Sequence, residues 1–149
     1  MLKSETTTAT GKVNIVVRDE KGKVKEEFTV PNLVVNTGLA FIASRMEGVD
    51  DAIMSHMAVG TDNTAAAGGD TALGSEVAGA RVALTSGVAS GADMVYTATF
   101  PAGTGTAALT EAGIFNDSSA GTMLCRTVFA VINKGAADTM TVTWTITIS

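Results

Sequence analysis

The chain has 149 residues, a formal net charge of −5 and only 17% charged residues, which fits one acidic domain with a single core. The acidic balance and the lack of a lysine and arginine cluster argue against nucleic-acid binding, and no apolar run approaches the ~20 residues of a membrane-spanning helix. Residues 1–6 lack the apolar core of a signal peptide, so export by a cleaved signal is not expected.

The first eleven residues are polar and rich in threonine, and they end at Gly11. Such a segment has little apolar surface of its own, so residues 1–11 are predicted to form an extended N-terminal arm. A single domain is predicted over residues 12–149. The arm should become ordered by lying on another subunit, for example as an added strand, and it supplies the first candidate interaction residues. These are Lys3, Ser4, Glu5, Thr6, Thr7 and Thr8.

Two valine-containing segments, residues 12–18 and 24–30, flank the turn sequence of residues 19–23 and predict a β-hairpin. The second strand is interrupted at Pro31 and continues over residues 33–35. The segment Asn36-Thr37-Gly38 then offers a helix N-cap. The apolar stripe Leu39, Ile42, Ala43 and Met46 predicts a short amphipathic helix near residues 37–47 that Gly48 ends.

Short β-type segments separated by glycine-rich turns come next, at residues 53–59, 80–85, 94–100, 109–115 and 122–132. Residues 86–93 are predicted as a turn. The total is about eight strands with no alternation of strands and helices, for which antiparallel strands in two stacked sheets are the economical arrangement. The predicted fold is therefore an all-β antiparallel sandwich with one short helix.

The last residues alternate between apolar side chains and threonine, which predicts a long antiparallel strand with one buried and one polar face. Trp144 is the only tryptophan, and we expect it to anchor the core. Thr143, Thr145 and Thr147 on the polar face are candidate interaction residues. Because an uncharged strand edge promotes aggregation, this strand should lie inside a sheet or pair across a subunit boundary.

Few residues could carry out catalysis. His56 is the only histidine, so a Ser–His–Asp triad would have to use it, yet no nucleophile motif accompanies it. Cys125 is the only cysteine, lies in an apolar run and is interpreted as a buried thiol. No enzyme activity and no cofactor are expected.

The acidic residues could be metal ligands or catalytic groups, or they could have structural roles. Asp62, Asn63 and Asp70 could supply oxygen ligands to Ca²⁺, but their spacing does not match an EF-hand, and turn hydrogen bonds account for them better. Glu76 and Glu111 could form a catalytic pair of the glycosidase kind. Buried hydrogen bonds or ion pairs with Arg81 and Arg126 are the preferred interpretation.

Three stretches of the sequence resemble a group of small virion proteins of tailed bacteriophages. The matching segments are residues 32–43, residues 57–64 with 70–76, and residues 109–116 with 121–126 and 142–146. The resemblance covers the chain from about residue 30 to the end, and the residues that carry it are structural.

The resemblance implies a jelly-roll-like β-sandwich subunit and supplies no catalytic residues. Some such proteins decorate capsids, which leads to the preferred expectation: a capsid decoration (cement) protein on the outer surface of the virion, assembled in the host cytoplasm. Its partners would be the major capsid protein and further copies of itself, as a dimer or a trimer, with neither nucleic acid nor membrane involved. A tail, neck or fibre component is the alternative, and a carbohydrate-binding β-sandwich is a third possibility that the 5% aromatic content weakens.

Overall fold

The computed structural model describes residues 7–48 and 52–149. Within those residues the chain forms nine antiparallel strands and one helix, so the predicted all-β class with one short helix is confirmed. In chain order the elements are β1 (Ala9–Arg18), β2 (Val24–Val34), α1 (Asn36–Glu47), β3 (His56–Gly60), β4 (Val82–Ala83), β5 (Ser86–Ser90), β6 (Asp93–Phe100), β7 (Ala107–Phe115), β8 (Met123–Lys134) and β9 (Thr139–Ile148). No helix in this part of the chain has the length and apolar character to cross a membrane.

The strands form one curled sheet in the order β4-β3-β7-β8-β2-β1-β9-β6-β5. β2 joins its two halves, because residues 24–32 pair with β1 whereas Leu33 and Val34 pair with β8. We call β1, β9, β6 and β5 the β9 half, and β4, β3, β7 and β8 the β7 half. Side chains from both halves, including Ile15, Trp144 and Ile114, belong to one buried cluster. The two halves therefore enclose the core between them, as in a sandwich.

β9 lies inside the sheet, paired with β1 on one side and β6 on the other. Its apolar residues from Met140 to Ile146 point into the core, and Trp144 is fully buried. The period-two alternation and the anchoring tryptophan are thus confirmed. The sequence predicts that this strand lies either inside a sheet or across a subunit boundary. The structure places it inside its own sheet, where both of its edges are paired.

The helix begins directly after β2. Val35, with an extended backbone, occupies the N-cap position and makes no side-chain capping hydrogen bond, so the predicted cap within Asn36-Thr37-Gly38 is wrong. Asn36 instead lies in the first turn, where its backbone N–H donates to the carbonyl of Gly68 at 2.8 Å. Gly48 ends the helix in a left-handed conformation (φ 77°) as predicted.

Of the predicted stripe of the helix, only Ile42 packs against the core, and it is half-buried. Leu39 is 46% exposed and Met46 is 92% exposed, whereas the buried residue of the helix is Gly38. A Cβ at Gly38 would overlap the backbone carbonyl of Leu124, so the glycine lets the helix lie directly on β8.

Several strand boundaries differ from prediction. β2 is not interrupted at Pro31 but runs from Val24 to Val34, with Pro31 paired to Lys12, and β3 begins at His56 rather than at residue 53. β1 begins at Ala9 rather than at residue 12, because Ala9 to Gly11 pair with the end of β9. Residues 86–93, predicted as a turn, contain β5, which pairs along its whole length with β6. The strand predicted over residues 80–85 shortens to the two residues of β4.

Candidate interaction surfaces

Glu111 holds the loop between β3 and β4 against the sheet. Its carboxylate, on β7, is fully buried and accepts backbone N–H bonds from Ser75 (2.7 Å), Gly74 (3.0 Å) and Asp62 (3.3 Å). Arg126 on β8 donates to it from Nε at 2.9 Å. Hydrogen bonds to an ionised carboxylate are among the stronger ones in proteins. Both oxygens of Glu111 therefore already bind groups of the protein itself.

The same loop contains the acidic residues considered as calcium ligands. Asp62 accepts the backbone N–H of Thr64 at 2.7 Å in an Asx turn, and this bond holds the pKa of the carboxyl below its ordinary value. Asp70 accepts from the N–H of Ala67 and forms an ion pair with Arg126 at 3.0 Å. The predicted loop hydrogen bonds are confirmed for Asp62 and Asp70. The described residues contain no group of three or more His, Cys, Asp or Glu arranged to hold a metal.

Glu76 and Arg81 form the second predicted ion pair. Two guanidinium nitrogens reach the two carboxylate oxygens at 3.0 and 2.7 Å. The guanidinium also lies over the ring of Phe115, 3.9 Å from its centroid. Since Glu111 and Glu76 each bind the arginine proposed for it, the ion-pair interpretation of both glutamates is confirmed.

The histidine and the cysteine lie apart from these acids. Nδ1 of His56 is 2.8 Å from the hydroxyl of Ser55, its neighbour in sequence. No carboxylate of the described residues hydrogen-bonds to this ring, so the third member of a triad is missing from that part of the chain. Cys125 is fully buried, and burial raises the pKa of its thiol, which keeps it neutral.

The threonines of β9 form the centre of an outer sheet surface. Thr143 lies between Asn14 of β1 and Thr97 of β6, and Thr145 lies between Lys12 and Val95. The odd-numbered positions of β6 and β9 are half-buried. We call this surface the threonine face and define it as the odd-numbered residues of β9 from 141 to 147 with their partners on β1 and β6. Its residues are Thr10, Lys12, Asn14, Val16, Asp93, Val95, Thr97, Thr99, Thr141, Thr143, Thr145 and Thr147.

The threonine face carries one positive and one negative charge. Of its twelve residues only Lys12 and Asp93 are charged, and Asp93 accepts a hydrogen bond from the hydroxyl of Thr147 at 2.6 Å. Arg18 and Glu27 lie at its margin, beside Thr139 and Val16. The three candidate residues predicted on β9 therefore share one surface that is rich in hydroxyl groups and has charges at its rim.

The other candidate residues lie at the start of the chain. Lys3, Ser4, Glu5 and Thr6 fall outside the described residues. Thr8 exchanges two backbone hydrogen bonds with Ser149, at 2.6 and 2.9 Å, and Thr7 and Thr8 are exposed. Because Thr10 pairs with Thr147, the described part of the arm and the threonine face meet at one corner of the sheet.

An apolar groove, which the sequence does not predict, lies between α1 and the ends of β6 and β9. It has cavity volumes of about 200 and 490 Å³ in two adjoining parts. Residues that line it include Phe41, Arg45, Met94, Tyr96 and Ile148. Tyr96 and Met94 can be assigned to a strand from their alternation, but only the position of the helix shows that a space remains beside them.

Comparison with models of protein families, with curated proteins and with solved structures gives no match to this chain. No family and no structural relative therefore assigns it a role. The resemblance to phage virion proteins stays a prediction, and the role of the chain has to be inferred from its own residues.

Proposed function

We propose that this chain is a capsid decoration protein of a tailed bacteriophage, which lies on the outer surface of the head and bridges subunits of the major capsid protein. It would be assembled onto the virion in the host cytoplasm and would act without a cofactor. The resemblance of residues 32–146 to phage virion proteins supports this class.

The observation that carries the proposal is the threonine face. Seven of its twelve residues are threonines, whereas its two charged residues are the same share as the 17% of the whole chain, so hydroxyl groups and not a lack of charge distinguish it. Its hydroxyl groups can donate and accept hydrogen bonds without the desolvation cost of an ion. A sheet surface that is rich in hydroxyl groups, and whose two charges are of opposite sign, is suited to lying on another protein.

The ionisable groups favour a structural role for a separate reason. Glu111, Arg126 and Asp70 hold a loop in place, and Glu76 is paired with Arg81. A general acid or base needs a partner atom on a substrate within hydrogen-bond reach, and these groups already have protein partners.

The mechanism would be multivalent. Each copy contributes a modest interface, and the symmetry of the head places many copies next to one another, so that detachment of one contact is quickly reversed. The net charge of −5 suits the outside of a shell, remote from packaged DNA. The described end of the arm, at Thr7 and Thr8, lies at the edge of the threonine face, and the arm would add contacts there.

A tail, neck or fibre component is the second candidate, because the resemblance extends to such proteins. Carbohydrate binding is less well supported: Trp144 is fully buried and Tyr96 is 8% exposed, so neither ring forms an open platform for a sugar.

Reconstitution of virions tests the proposal. Particles assembled without the protein are mixed with the purified chain, and electron microscopy locates the added density. Density on the head together with restored resistance to heat is the expected result. Tailless or non-adsorbing particles in the absence of the protein would favour the second candidate and contradict decoration.

A substitution on the threonine face makes the test specific. Thr143→Lys places a charge at the centre of the surface and should lower occupancy on heads by about tenfold, since an unpaired buried charge weakens an interface. Thr71→Lys, at an exposed position in the loop between β3 and β4, is the matched control and should bind like the wild type. Equal occupancy of both variants would remove the threonine face from the interface.

A further inference from the structure

The two edges of the sheet differ. β4, at one edge, has two residues and follows the ion-paired Arg81. β5, at the other edge, has five residues, all exposed, and pairs only with β6 among the described strands. The side of β5 that faces away from β6 therefore presents backbone N–H and C=O groups that another strand can bind.

β5 lacks the features that usually block such an edge. Proteins protect edge strands with charged residues, proline or a β-bulge. The segment from residue 84 to residue 92 contains neither a charged residue nor a proline. The pairing of residues 86–90 with β6 continues without a register shift, so no bulge twists the edge away.

The sequence of β5 is close to symmetric about its centre. Val88 has small residues on either side, Gly87 and Ala89, and a serine two positions away in each direction, Ser86 and Ser90. A second copy approaching across a two-fold axis would pair Val88 with its own counterpart and Ser86 with the opposite Ser90. Valine–valine and serine–serine neighbours are favourable across antiparallel strands, and no like charges are brought together.

We propose that the chain forms a homodimer by antiparallel pairing of β5 with β5 of a second copy, about a two-fold axis through Val88. The β9 halves of both copies would then form one continuous sheet. This is an isologous interface, in which the same surface of each copy binds the other.

The side chains of β5 are compatible with this arrangement. Val88 is 60% exposed and pairs with Val95, so it lies on the threonine side of the sheet. On the other side, Gly87 lies against Met94 and Tyr96, where a Cβ would be 3.2 Å from either side chain. The partner strand therefore meets small residues on one side and one valine on the other.

Dimerisation would extend the threonine face. Because Val88 and Thr145 lie on the same side of the sheet, the two copies would present their threonine faces side by side. This consequence rests on the proposed function, since it would give a decoration protein two adjacent contacts on the head. The dimer itself rests only on the edge strand.

Sedimentation of the purified full chain tests the dimer, over about 1 µM to 1 mM, a range suited to a small interface. The wild type should associate to a dimer, and Val88→Lys should weaken association by about tenfold or more, because two like charges meet at the axis. Val131→Lys is the control, at a valine 51% exposed on β8 in the other half of the sheet. A monomeric wild type, or a Val88→Lys variant that dimerises like the wild type, would overturn the proposal.

A cross-link tests the pairing itself. The only native cysteine, Cys125, is buried, so Val88→Cys introduces a single accessible thiol that should form an intermolecular disulfide on mild oxidation. Val131→Cys should remain unlinked under the same conditions. Failure of Val88→Cys to cross-link would overturn pairing about Val88. A dimer that cross-links but does not bind phage heads would contradict the proposed function and leave the dimer intact.

Discussion

Trp144 lies on the buried face of β9 together with Met140, Val142 and Ile146. The ring is fully buried, and its Nε1 has no hydrogen-bond partner among the described residues. Truncation to alanine removes the largest fully buried side chain of the core and leaves a cavity. We therefore expect Trp144→Ala to lower the free energy of unfolding by about 3–5 kcal/mol, measured by urea denaturation. Trp144→Phe should cost less, since it keeps a ring and removes the unpaired N–H. A loss under about 1 kcal/mol for the alanine variant would mean that the ring is not in the core.

Glu111 and Glu76 provide a matched pair of ion-pair substitutions. Glu111 is fully buried, whereas the side chain of Glu76 is 31% exposed. Glu111→Gln should cost about 3 kcal/mol, because Arg126 loses a buried partner and keeps its pairing with Asp70 alone among the described residues. Glu76→Gln should cost about 1 kcal/mol or less, as solvent screens the pair. Urea denaturation at neutral pH measures both, and equal losses would show that Glu111 does not hold the loop.

Tyr96 is the only tyrosine, so its titration can be followed alone by the absorbance of the phenolate. Burial raises the pKa of the phenol from 10.0 to about 12. The folded state thus favours the neutral form; the stability gained is present below pH 10.0 and is lost as the pH rises through about 12. The absorbance midpoint should lie near 12 in the folded protein and near 10.0 in denaturant. Tyr96→Phe lacks the phenol and gives the background absorbance. A midpoint near 10.0 in the folded protein would contradict the burial of Tyr96.

At the scale of elements, contact between α1 and β8 depends on Gly38. A Cβ at this position would overlap the backbone carbonyl of Leu124, which cannot move without distorting β8. Gly38→Ala should therefore destabilise the fold by about 1–3 kcal/mol, although alanine favours a helix by about 1 kcal/mol over glycine. In the exposed position Ala40, the reverse change Ala40→Gly should cost about 1 kcal/mol. Thermal and urea unfolding followed by circular dichroism measure both, and a Gly38→Ala variant of raised stability would show that the helix can move away.

The strands that the sequence predicts best are those with strict alternation. β9 buries every second residue from Met140 to Ile146, and β6 does so from Tyr96 to Phe100. This period is a local property that the sequence displays directly. β5 escapes such a prediction because Ser-Gly-Val-Ala-Ser has no alternation of apolar and polar residues, and it is a strand only because β6 pairs with it. The start of β1 cannot be predicted from the sequence for a similar reason. Ala9 to Gly11 form a strand because they pair with the last residues of the chain.

Some of the candidate surfaces can be predicted from a local sequence pattern, and others cannot. The threonines of β9 can be placed on one face from the period of the strand, and arginine can be proposed for Glu76 and Glu111 because it is the natural partner of a buried carboxylate. The apolar groove and the open edge of β5 cannot be found in this way, because both depend on which elements become neighbours in space. The order of strands in a sheet is not encoded in any local pattern.

At the scale of the whole molecule, net charge and fold stability respond to pH in different ranges. The chain carries a net charge of −5 at pH 7 and has an isoelectric point of about 4.7. A hydrogen bond from Lys25, at 2.6 Å, and another from the N–H of Gly135 lower the pKa of Asp138 below 3.8. A lowered pKa means that the stability from this carboxylate is present above pH 3.8 and is lost as the pH falls below that value. This contribution to stability should therefore persist at the isoelectric point.

Repulsion between copies should vanish before the fold is lost. As the pH falls from 7 to about 4.7, the charge on each copy approaches zero, so association through the uncharged β5 edge should tighten. Sedimentation at stepped pH values, with circular dichroism on the same samples, would follow both properties. Added salt at pH 7 should have a similar effect, because it screens the same repulsion. Association that weakens towards the isoelectric point, with circular dichroism unchanged, would show that charged groups hold the copies together and that the edge of β5 does not.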